Sequence, residues 1–150
     1  MSVLQLAGVS SACVAALHLA IVFVGAPGYR YFGAGERMAR LSEQGSPTPA
    51  LVTGALTLVF GVWAAYAFSG AELVRRLPVL RTSLLAIGLI YTLRGLLFGP
   101  QAVWFFSGHR SQVPLRQLAF SGAALLTGLA YLAGAQQVWA RLKRPVRREG

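Results

Sequence analysis

The chain of 150 residues carries 14 Lys and Arg against 4 Asp and Glu, with 12% charged and 55% hydrophobic residues. Mean hydropathy is +0.58. A soluble domain has about 25% charged residues and needs a polar surface to cover its core, so a soluble enzyme and a disordered tail are both excluded and an integral membrane protein remains.

The first predicted element is a span over 3–24. Met1 to Tyr29 holds no charged side chain, and Val3 to Val24 exceeds the roughly 20 apolar residues that cross a bilayer. A cleaved signal peptide would need a basic segment before the apolar one, and Ser2 to Val9 has none, so this stretch is expected to stay as a membrane helix. In the loop that follows, Glu36-Arg37-Met38-Ala39-Arg40-Leu41 reads as a short amphipathic helix. Met38 and Leu41 share a face, Glu36 precedes Arg40 by four residues, and Gly45 suits the stop.

The second span is expected over 50–68 and is uncharged. The third, over 77–98, is interrupted by Arg81 and Arg94. The charge-free stretch between them, Thr82 to Leu93, gives only about 18 Å of helix at about 1.5 Å per residue. The span therefore requires Arg81 to snorkel to one interface and Arg94 to sit inside the outer part of the helix. Trp104-Phe105-Phe106, after Pro100, is expected at the headgroup level as a half-turn or short helix. The fourth span is expected over 115–140, followed by a basic tail over 141–150. No proline falls mid-span: Pro49, Pro78 and Pro114 stand at helix starts, and Pro27 and Pro145 follow helix ends. The fold class is thus all-α, an integral membrane four-helix transmembrane bundle with a short amphipathic helix in the first outer loop, forming a single transmembrane domain.

Four spans put both termini on one side. That side gathers Arg75, Arg76, Arg81, Arg141, Lys143, Arg144, Arg147 and Arg148, against Arg30, Arg37, Arg40, Arg110 and Arg116 on the other, which favours cytoplasmic termini. Charge grouped at span ends is a topology signal, and no nucleic-acid partner is expected. Cys13 is the only cysteine, which excludes an intrachain disulfide, a dithiol redox centre and a multi-cysteine zinc site.

Small residues recur every four positions: Gly8, Ala12, Ala16 and Ala20; Thr57, Gly61 and Ala65; Ala124 and Gly128; Ala130 and Gly134. Such stripes let helix backbones approach closely, either within the bundle or against a second copy or another membrane protein.

Arg94 carries the strongest functional signal, because an arginine within a span marks a site facing the protein interior unless it snorkels to lipid phosphates. Tyr91 lies one turn before it, so phenol and guanidinium could meet one ligand. His18 sits two-thirds along the first span, at a depth similar to that of Arg94; the alternative is a histidine bonded between helices. Glu36, at the start of the outer helix, could pair with Arg94 or orient His18, or pair with Arg40. No metal-ligand cluster, catalytic Ser-His-Asp spacing or phosphate-binding glycine loop is present. A bis-histidine haem would need His18 with His109 from an outer loop, so no cofactor and no metal are expected.

The four spans, His18 near the outer end of the first, and Gly33-Ala34-Gly35-Glu36 in the first outer loop resemble small bacterial inner-membrane proteins of the broad DoxX-like type. The resemblance implies a bacterial inner membrane and no particular catalytic residue. The leading expectation is a protein that binds a lipophilic or anionic amphipathic ligand in an outward-facing cavity lined by His18, Tyr91 and Arg94, with Glu36 above. Its partners would be membrane lipids or a lipophilic small molecule. Catalysis with His18 as general base lacks a second group, so binding is favoured over an enzyme. The rival is an accessory or structural subunit with no ligand. A small transporter ranks third, because all four acids lie outside the spans and no repeat is visible.

Overall fold

A computed structural model of the chain describes residues 1–108 and 114–143, and side chains as far as residue 140. His109, Arg110, Pro145 and the charged tail beyond Lys143 lie outside the described residues. The described chain is helical, with α1 (Val3–Val24), α2 (Ala26–Phe32), α3 (Glu36–Glu43), α4 (Thr48–Gly70), α5 (Leu80–Gly95), α6 (Phe98–Phe106) and α7 (Leu115–Lys143). Four stretches are long and apolar enough to cross a membrane: α1, α4, α5 continued by α6, and α7 to Ala140. The 22 residues of α1 span about 33 Å at about 1.5 Å each, against a hydrocarbon core of about 30 Å. Large apolar side chains stand outward along these helices, such as Phe23 at 82% and Leu58 at 73% exposure. A surface of that kind is stable in lipid and not in water. The protein is a multi-pass membrane protein with the expected all-α architecture.

The chain divides into two compact units, Val9–Ala64 and Met1–Gly8 with Ala65–Gly150. In the first of these, the segment after α1 is more ordered than expected. Pro27 follows α1 as anticipated, but it also opens α2, where the missing N–H costs nothing. The reason α2 forms is Tyr29, which is 1% exposed and packs with Ile21, Ala26 and Ala39 inside a shell of Leu17, Phe32 and Met38. Gly33 turns the chain with φ 80°, and the N–H groups of Gly33 and Ala34 both donate to Tyr29 O. The next helix, α3, is the predicted amphipathic one. It stops at Gly45 (φ 73°), where Ser46 N–H bonds Leu41 O and Gly45 N–H bonds Ser42 O.

The core of the second unit is an antiparallel seam between α5 and α7. Leu80, Leu84, Ile87, Gly88, Tyr91 and Gly95 form the buried face of α5 at helical spacing. Small residues bring the two backbones together. A Cβ on Gly95 would overlap the backbone of Leu125, and one on Gly128 would overlap Thr92. Tyr91 stacks on Tyr131 at 5.9 Å between ring centroids, and the Arg81 guanidinium lies 3.5 Å over the Trp139 ring. At this end Leu4 of α1 presses against Gly70 of α4 and Gly134 of α7.

α4 ends in a paired-bond cap: Leu73 N–H donates to Phe68 O and Glu72 N–H to Ser69 O. That cap puts Glu72 at φ 62°, where glycine is the favoured residue. The buried Ser69 hydroxyl then ties down the following turn, donating to Arg75 O at 3.1 Å and accepting from Leu77 N–H at 2.9 Å.

Candidate functional site

Arg94 stands at the edge of the buried face of α5, one turn beyond Tyr91. Its Nη1 donates to Ser121 Oγ on α7 at 3.0 Å, and that serine is fully buried. A guanidinium has five N–H donors, and Ser121 accepts from one. Arg94 as a residue is exposed. Ile90, Leu93 and Leu97 around it are also exposed. The arrangement is an arginine anchored at one nitrogen and open to the lipid-facing surface. Sequence reasoning found Arg94 and missed Ser121, because a lone serine 27 positions away carries no signal until α5 and α7 are paired.

Tyr91 sits within the seam, at 6% exposure, stacked on Tyr131. It shares α5 with Arg94, three positions before it. Two polar atoms near this end of the seam, Thr92 Oγ1 and Gln101 Oε1 of α6, are buried without a hydrogen-bond partner. Trp104 and Phe106 on α6 are exposed, as aromatic interface residues would be.

His18 and Glu36 belong to the other compact unit. The His18 Nδ1 lies 2.8 Å from Val14 O one turn earlier. A carbonyl only accepts, so the proton is on Nδ1, and in the neutral ring Nε2 is left as an acceptor. Phe60 of α4 lies against the imidazole at 4.9 Å between centroids. The bond runs to the residue's own helix, which differs from the interhelical bond considered from sequence.

Glu36 is held by two arginines. Arg30 grips it through both carboxylate oxygens, at 3.0 and 3.1 Å, and Arg40 reaches it at 3.3 Å. Arg30 also bonds Glu43 at 2.7 Å. The expected pair with Arg40 is therefore present, and the larger partner is Arg30, which the sequence placed only among the basic residues of the outer side. The correction follows from α2, which turns Tyr29 into the core and Arg30 across to α3. The Arg30 hydrogen bonds, seconded by Arg40, hold the Glu36 carboxyl below its ordinary 4.5. Arg30 does the same for Glu43. Carboxyls depressed in the folded state contribute stability above the unfolded value, which is lost as pH falls through the folded one. Amide protection in α2 and α3, taken relative to the intrinsic exchange rate at each pH, is therefore expected to fall as pH drops below 4.5. Arg30→Gln should remove most of that pH dependence, and an unaltered profile would show that the ion pairs contribute nothing.

Among the described residues, no three His, Cys, Asp or Glu side chains converge as a metal site would need. Comparison with family models, with curated proteins and with solved structures finds no match.

Proposed function

We propose that this protein binds an anionic amphipathic ligand, lipid or lipophilic small molecule, with Arg94 as the head-group contact. The observation that carries the proposal is Arg94, an exposed residue whose guanidinium is fixed at one nitrogen by buried Ser121. An arginine pinned in this way has lost part of its side-chain entropy before the ligand arrives, which favours binding. The apolar residues beside it on α5 offer a track for a hydrocarbon tail. In this reading the ligand reaches Arg94 from the exposed side of α5. Tyr91 lies one turn before the arginine, and His18 and Glu36 are the further polar residues assigned to the outer side. The bacterial inner-membrane location, with both termini cytoplasmic, and the DoxX-like layout belong to the same proposal.

The test is lipid retention by the detergent-purified full-length protein, measured by native mass spectrometry with phosphatidylglycerol and phosphatidylcholine of matched chains. Arg94→Ala is expected to lower phosphatidylglycerol retention about tenfold, in line with the loss of a charge-assisted hydrogen bond. Phosphatidylcholine should be indifferent to the substitution. Unchanged retention of phosphatidylglycerol by Arg94→Ala would overturn the reading.

One observation favours the accessory-subunit reading. Gly54 and Gly61 lie seven residues apart on α4, and a Cβ on either would meet nothing within 4 Å. Two open glycines on one helix face suit a partner helix in the membrane.

A further inference from the structure

A second candidate site lies at the opposite end of α5. A cavity of about 200 Å³ opens where α4 ends, α5 begins and the last turns of α7 pass. Ser69, Glu72 and Arg76 supply its polar lining, and Val74, Leu80 and Val138 its apolar one. Leu80 is about 21 Å from Arg94 along α5, at about 1.5 Å per residue, so the two sites are separate.

The size and position of the cavity narrow the occupant. Sites that enclose a drug-sized ligand run to about 300–1,000 Å³, so this one takes a head group and leaves the rest outside. It lies at the ends of spans, where lipid head groups are found, and exposed Leu73 and Val74 stand beside it. Arg75, Arg76 and Arg81 come within seven positions of one another in the same turn and helix start.

The lining then selects the chemistry, because it bears one charge of each sign. Arg76 suits a phosphate. Glu72 opposes a purely anionic group and suits an ammonium; a carboxylate has about four acceptor positions, so it can serve a ligand as well as partners within the chain. A quaternary ammonium has no N–H to donate and is held by aromatic faces, and no aromatic residue lines this cavity. A primary ammonium fits. The backbone of Glu72 is an independent sign: at φ 62° it fills the cap position that glycine occupies most easily. A charged residue in such a conformation, at the rim of a cavity, is a candidate for a role of its side chain.

From this geometry we infer that the cavity binds a phosphate ester bearing a primary ammonium, and that its source is a phosphoethanolamine lipid head group. Arg76 takes the phosphate, Glu72 the ammonium, and Val74, Leu80 and Val138 the glycerol end. A free soluble ester would leave the apolar half of the lining without use.

The experiment uses the full-length protein in detergent, with phosphatidylethanolamine, phosphatidylcholine and phosphatidylglycerol of matched chains read by native mass spectrometry. Phosphatidylethanolamine should be retained about tenfold over phosphatidylcholine, as expected for one charge-assisted hydrogen bond. Arg76→Gln should lower the retention of both lipids, whose phosphate Arg76 holds in common, and Glu72→Gln should erase that preference. Glu72→Gly should erase it too while keeping or raising the melting temperature, because glycine relieves the backbone; this separates loss of binding from loss of folding. Arg94→Ala should leave it unchanged, so the two sites fail independently. Equal retention of phosphatidylethanolamine and phosphatidylcholine would overturn the proposal, as would a preference that survives Glu72→Gly. Thermal stabilisation by soluble phosphoethanolamine equal to that by the lipid would overturn the lipid source.

Discussion

Gly95→Leu and Gly128→Leu are each expected to destabilise the protein by about 3 kcal/mol, at the upper end of the usual overpacking range. A side chain on Gly95 runs into the backbone of Leu125, and one on Gly128 into Thr92 and the carbonyl of Gly88. Backbone cannot step aside as a flexible side chain does, so α5 and α7 must separate along the seam. Separation is costly in lipid, where helices associate through packing and polar contacts without a hydrophobic drive. The Arg94–Ser121 bond and the Tyr91–Tyr131 stack would be strained by the same movement. Thermal unfolding in detergent provides the measurement, with Gly54→Leu and Gly61→Leu as controls. Both control positions are open, so changes within about 0.5 kcal/mol are expected there. If all four variants melt together, the seam is not where the stability of this unit lies.

Tyr29→Ala is expected to cost about 3–5 kcal/mol, the range for truncating a large buried aromatic. Tyr29 is 1% exposed and sits at the centre of the cluster with Ile21, Ala26 and Ala39. Removing it leaves α2 without its anchor, and a seven-residue helix has no stability of its own. Arg30 would then lose its placement opposite Glu36 and Glu43. Tyr31→Ala should cost under about 1 kcal/mol, because Tyr31 is 56% exposed and lies outside the buried cluster. Limited proteolysis between α1 and α4, together with thermal unfolding, reads both. Equal sensitivity of the two variants would contradict the assignment of Tyr29 as the core residue.

The spans were legible because hydrophobic length is a one-dimensional property. The first matches α1 at both ends, the second extends by two residues at each end, and the fourth by three at its C-terminal end. The third was less clear: Arg94 and Pro100 obscured the continuation of α5 through a turn into α6. α2 was not anticipated, since a seven-residue stretch with a proline and a glycine has no helical pattern, and it forms because the burial of Tyr29 requires it. The site was legible in part. Arg94 was singled out by the cost of a charge in a span, whereas Ser121 and the cavity beside Glu72 and Arg76 depend on neighbours distant in sequence.

Composition by itself determined that this chain lives in a membrane, because 12% charged residues cannot clothe a 150-residue core in water. Span length then determined the four stretches long enough to cross that membrane. Tertiary structure alone decided which small residues are contacts: Gly128 and Gly134 abut other helices, while Gly61 faces open space. All three belong to the same four-residue pattern, and a repeat along one helix does not say what lies opposite it. The same holds for the charges. Position in a span made Arg94 conspicuous, but only the pairing of α5 with α7 gave it a partner and an exposed face.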